Sequence, residues 1–149
     1  MFLTVHGAIG IIIGQRIPNP LLAFIVGFIS HYIFDIIPHG DSRAPDKWKN
    51  PIHIAFAALI DLIVLIIFIL CLGVNTIILN WNTALALLGS LIPDFLQGFY
   101  FLTNKKKLIR HQNIHNFFHN LITKNWDFNL ITGLILQIIF FILLITFII

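Results

Sequence analysis

Glutamate is absent from this 149-residue chain, and cysteine occurs once. Solvated helix faces normally draw on Glu–Lys pairs four residues apart, so a chain without Glu has little solvated helix surface. The lone Cys71 excludes an internal disulfide and a thiolate zinc cluster. It stands in an apolar run with no polar neighbour to activate it. Charge is scarce as well: 10% of the residues are charged, against about 25% in soluble domains. The sequence contains neither a Gly-x-Ser-x-Gly elbow nor a Walker-type phosphate loop, which removes support for serine-elbow hydrolysis and P-loop nucleotide chemistry. What is abundant is apolar surface. Hydrophobic residues make up 58% of the chain, and the mean hydropathy of +0.95 fits a protein whose solvent is largely lipid.

The apolar residues are organised in segments. Residues 52–72, 83–102 and 128–149 are each long enough to span a bilayer, which takes about 20 residues. Two shorter apolar segments, 2–14 and 21–37, are separated by the break Arg16-Ile17-Pro18-Asn19-Pro20. The first of them lacks the basic start of a signal peptide. Residues 39–50 form a polar loop, and 73–82 an uncharged one. Residues 103–125 mix basic and apolar positions and read as an amphipathic helix on the membrane surface. The expectation is an all-α, polytopic membrane bundle: about five membrane-inserted helices and one surface helix, forming a single integral membrane domain over 1–149. The basic residues gather in 39–50 and 103–126, and the positive-inside rule places those loops in the cytoplasm. Lys105, Lys106, Lys107 and Arg110 suit contact with anionic headgroups. No nucleic-acid motif accompanies them, and no nucleic acid is expected as a partner.

The polar residues inside the apolar segments carry the chemistry. His31 and Asp35 are four apart, on one face of a helix, and His39 follows Pro38 after a further four residues. Imidazole and carboxylate in that spacing suit a divalent metal, most often zinc. An ionisable group beside lipid is costly unless paired or coordinated. The alternative is a helix-stabilising His–Asp hydrogen bond. His115 and His119 repeat the four-residue spacing, with His111 one step before them; their alternative is a basic helix facing headgroups. Asp94 follows Pro93 within a span, where the missing N–H bends the helix. Asp61 lies deeper in its span than His53 and suits a ligand, a second-shell acceptor or a proton acceptor. His6 stands alone, equally suited to packing or ligation. On the expected topology nearly all of these groups fall within roughly 15 Å of one membrane face, because a helix rises about 1.5 Å per residue. Such one-sided clustering points to a single site.

Across these residues the chain resembles a group of small bacterial inner-membrane proteins of metal-dependent hydrolase type, the LexA-regulated membrane hydrolases among them. It is more distantly similar to zinc-dependent phospholipase C. The resemblance runs through Gly27-Phe28-Ile29-Ser30-His31, Asp35, Pro38 and His39, then Leu91-Ile92-Pro93-Asp94, then His111, His115 and His119. There are departures. The phospholipase pattern pairs His-x-x-x-Asp with His-x-x-x-Glu, whereas this chain has His115-x-x-x-His119 and no Glu. The Arg-Gly-containing histidine motif of the LexA-regulated type is not reproduced.

The expectation is a membrane-bound, metal-dependent hydrolase of phosphoesters or phospholipid headgroups. One to three zinc ions would be held by His31, Asp35, His39, His115 and His119, with Asp94 and His6 completing the set. Asp94 or Asp61 would accept the proton of an activated water. The competing expectation is a non-catalytic membrane protein that binds or transports metal, since His and Asp along spans also mark ion pathways.

Overall fold

The computed structural model describes residues 1–46, 50–72, 80–103 and 107–149. They form six helices: α1 (Leu3–Arg16), α2 (Pro20–Asp35), α3 (Pro51–Leu72), α4 (Trp81–Leu102), α5 (Ile109–Thr123) and α6 (Leu130–Ile148). No strand occurs among the described residues. The all-α class is as the sequence predicts, but the number of spans is not. Three helices, α3, α4 and α6, are long and apolar enough to cross a membrane, rather than about five. Length is the reason. The 14 residues of α1 and the 16 of α2 reach only about 21 and 24 Å at 1.5 Å per residue, short of a ~30 Å hydrocarbon core. Lys105 and Lys106, assigned above to headgroup contact, and Lys47 and Lys49 of the first basic loop lie outside the described residues.

Helix starts follow capping chemistry. Asn19 accepts from the Leu22 amide with Pro20 in the first turn, Asn80 accepts from Asn82, and Asn129 from Thr132. An Asn oxygen satisfies one of the amides that a helix start leaves unpaired. The N-cap side chain of α1 makes no such bond. Its first amides are met from another helix: Asp61 of α3 accepts from the amides of Leu3 and Thr4 and from the Thr4 hydroxyl.

The first short segment is the most enclosed helix. Leu3 to Ile11 are buried without interruption, and α1 packs against α2, α3, α4 and α6. Small residues make this possible. A Cβ on Gly14 would stand 2.2 Å from the Thr83 Cα, one on Gly27 2.3 Å from the Ala86 carbonyl, and one on Gly89 2.3 Å from the Phe24 carbonyl. The backbones of α1, α2 and α4 therefore approach at near contact, the packing favoured where lipid supplies no hydrophobic drive between helices. By contrast α3 and α6 turn Ile54, Phe56, Ile67, Ile138 and Phe147 outward. The outer helix α5 is inverted: Gln112 and His115 are buried, while Ile114, Phe117 and Leu121 are exposed.

Candidate metal centre

Two groups of His and Asp donors converge where α1 begins and α2 ends. The first comprises His31 and Asp35 of α2, Asp94 of α4 and His115 of α5. His31, Asp35 and His115 are essentially buried, and Asp94 is 19% exposed. The His31 and His115 Nε2 atoms are 3.3 Å apart, and each lies 3.3 Å from Asp35 Oδ2. Asp94 Oδ1 is 3.6 Å from both imidazole nitrogens. For an ion bound tetrahedrally at 2.0–2.2 Å, the edges between ligand atoms are about 3.3–3.6 Å. Five of the six separations among the donors therefore match the edges of a zinc-sized tetrahedron.

Proton bookkeeping supports the same reading. His31 Nδ1 lies 2.8 Å from the Ser90 carbonyl, which can only accept, so Nδ1 carries the proton. In the neutral ring Nε2 then presents a lone pair towards the group. The Gln97 side-chain nitrogen lies 3.2 Å from His115 Nδ1 and holds that ring from its far side. Asp35 Oδ2 is buried and accepts no hydrogen bond. Two ring nitrogens and an orphaned carboxylate oxygen thus face one point. Backbone carbonyls that hold a histidine's far nitrogen are the usual second shell of a metal ligand.

The second group is His39, Asp41 and His119. His39 Nε2 lies 3.2 Å from Asp41 Oδ2 and 3.2 Å from His119 Nε2. The His39 ring is set by the same device, its Nδ1 donating to the Ile37 carbonyl at 2.7 Å. His39 is buried, whereas the Asp41 side chain is 51% exposed. Loss of solvent works against ionisation of Asp41, yet the His39 hydrogen bond and nearby positive charge hold its carboxyl at about 2. Burial, reinforced by the Met1 amino group and His39, lowers His119 to about 4. At neutral pH both present unprotonated donors. The Met1 amino group lies between the two groups, 2.9 Å from Asp35 Oδ1 and 3.0 Å from His39 Nε2.

The loop that carries His39 is clamped by the segment entering α6. Asp127 accepts from the Gly40 amide at 2.8 Å, from the Ser42 amide at 3.1 Å, from the Ser42 hydroxyl and from the Phe128 amide. The Gln137 amide donates to the His39 carbonyl at 3.3 Å. Gly40 has φ +92°, a conformation that favours glycine. Gly133 lets the loop press against α6, for a Cβ there would stand 2.0 Å from the His39 carbonyl.

Of the residues singled out from sequence, His31, Asp35, Asp94 and His115 meet in one group, and His39 and His119 in the other. His6 joins neither group. It hydrogen-bonds Asp35 Oδ1 at 3.1 Å and stacks on His31 with ring centroids 4.1 Å apart. Asp61 is occupied by the start of α1, and His111 Nε2 faces the Tyr32 hydroxyl at 3.1 Å. Sequence reasoning passed over Asp41, Asp127, Gln97 and Gln137. The run Pro38-His39-Gly40-Asp41 held a signal: a glycine turn that brings an Asp back beside a His.

Comparison with protein-family models, with curated proteins and with solved structures gives no match to this chain. The functional reading therefore rests on the geometry of the site.

Proposed function

We propose that this chain is an integral membrane hydrolase that acts on phosphoesters at the lipid surface and uses a divalent ion, zinc by its donor set. His31, Asp35, Asp94 and His115 would hold the ion. The observation that carries this reading is the spacing of 3.3–3.6 Å from the His31 and His115 Nε2 atoms to each other and to the Asp35 and Asp94 carboxylates. An ion bound there lowers the pKa of water and offsets charge on phosphoryl oxygens.

The protein's own residues supply the rest. Asp94 is the one member of the group with appreciable exposure, so its carboxylate would give up its corner of the ion to the attacking water and take up the water's proton. Asp61 serves the α1 amides instead. The outward stripe Ile114, Phe117 and Leu121 of α5 favours apposition to acyl chains. An apolar cleft lined by Ile37, Pro38, Phe128, Leu136 and Phe140 reaches His39 and suits the tail of a lipid substrate. With the basic loops inside, the site faces the cytoplasmic leaflet.

The test begins with metal counted per chain in protein purified in detergent, for the wild type and for His115→Ala. Hydrolysis of bis(4-nitrophenyl) phosphate and of mixed phospholipids is then assayed. The expected result is bound zinc and turnover in the wild type, and loss of both in His115→Ala. Bound zinc with no turnover, together with zinc flux into vesicles, would replace hydrolysis with transport.

A further inference from the structure

The geometry points to a second ion site, formed by His39, Asp41 and His119, whose remaining coordination position takes an oxyanion of a lipid phosphate headgroup. This rests in part on the reading above but uses different donor residues. The distinction between the groups is one of donor count. A tetrahedral ion held by three protein ligands keeps its fourth position for water or substrate. The group on α2, α4 and α5 supplies four donors, and this one supplies three.

The donors are arranged for it. His39 lies 3.2 Å from Asp41 and 3.2 Å from His119, close to the edge of about 3.3 Å expected between ligands of one tetrahedral ion. The Ile37 carbonyl fixes the His39 tautomer so that Nε2 faces the group. Exposure is also distributed as an open site requires. His39 is buried, but half of the Asp41 side chain is in solvent, so a ligand can approach from the Asp41 side. The apolar cleft that includes Ile37, Phe128 and Phe140 has His39 in its wall. An oxyanion on the ion could then belong to a molecule whose tail lies in that cleft. This favours a lipid phosphate over free phosphate as its source.

The experiment uses the full chain in detergent, loaded with cobalt(II), whose visible absorption reports coordination. The wild type is expected to bind two ions, and Asp41→Asn and His119→Gln one each. Asp94→Asn should retain the ion that those two variants lose. Dioctanoyl phosphatidic acid and inorganic phosphate are then titrated separately. Both should shift the absorption of the wild type and of Asp94→Asn while leaving Asp41→Asn unchanged. The lipid should act at a concentration at least ~10-fold lower, equivalent to about 1.4 kcal/mol. A single ion in the wild type that survives Asp41→Asn overturns the second site while leaving the four-donor centre standing. An absorption shift undiminished in Asp41→Asn overturns the assignment of the open position. Equal action of phosphate and lipid overturns the lipid source. Two ions with the expected spectra but no phosphoester turnover would sustain this site and remove the hydrolase reading instead.

Discussion

The four-donor group is built almost wholly from helix faces, whereas the three-donor group takes two of its donors from a loop. His31 and Asp35 are held at one helical turn's spacing on α2, and Asp94 and His115 are brought to them by α4 and α5. His39 and Asp41 belong to the segment after α2, and only His119 is helical. The first group owes its shape to backbone contacts between α2 and α4 through Gly27, Ala86 and Gly89. The second owes its shape to a carboxylate, an amide and a glycine on the other side of the loop: Asp127, Gln137 and Gly133. Rigid helix packing yields a largely buried set whose most exposed member is Asp94. A clamped loop yields an open one with an exposed carboxylate.

The largest expected effect is at Asp35, the residue on which the two groups meet. One of its oxygens faces His31 and His115, and the other faces His6 and the Met1 amino group. Asp35→Ala should abolish zinc binding at the four-donor group. It should also destabilise the apoprotein by about 3–5 kcal/mol, the usual consequence of leaving buried charged partners without their counterpart. Zinc analysis and thermal unfolding in detergent, with and without added zinc, measure the two effects separately. A variant that retained zinc-dependent stabilisation would show that the four donors do not act as a set.

A second substitution separates the groups rather than joining them. In Gly133→Ala the new methyl would collide with the His39 carbonyl, a backbone atom that cannot turn aside. The loop must move away from α6, at a stability cost of about 1–3 kcal/mol. The ion at His39, Asp41 and His119 should be lost while the one on α2, α4 and α5 remains. Gly98→Ala is the matched control, since nothing lies within 4 Å of a Cβ there. It should leave both ions in place and stabilise α4 by about 0.4–1 kcal/mol. If metal content falls equally in the two variants, the clamp does not discriminate between the sites.

The same contrast explains what could be read from the sequence. Helical periodicity alone brings His31 and Asp35 to one face, and hydropathy alone locates α3, α4 and α6 close to their observed ends. Those signals are local. The separation of His39 and His119 from His31 and His115 is not local, because it depends on a turn at Gly40 and on anchors more than eighty residues away at Asp127. The role of Asp61 was missed for a related reason. A carboxylate in a span suggests chemistry, but here it accepts from the first amides of a neighbouring helix that makes no side-chain cap of its own. The enclosure of α1 was partly legible in Gly10 and Gly14, a small-residue stripe that the α4 backbone approaches. Hydropathy could not tell whether that stripe meets lipid or another helix.

The smallest effect concerns the charge on Asp127. Burial alone would raise its pKa, but hydrogen bonds from the Ser42 hydroxyl and from the amides of Gly40, Phe128 and Ser42 hold it below its ordinary value of 3.8. A carboxyl depressed on folding stabilises the protein above its unfolded pKa. That contribution disappears as pH falls through the lower, folded value. The clamp should therefore be at full strength at neutral pH and fail only in acid. Asp127→Asn keeps one acceptor oxygen and gives up the charge, so it should be less stable than the wild type by a constant margin between about pH 5 and 7. The margin should shrink once the wild-type carboxyl protonates below about pH 4. Thermal unfolding across this range, in chelator-treated protein so that metal release does not intervene, measures that margin. A margin unchanged in acid would mean that the loop is held by the shape of residue 127 and not by its charge.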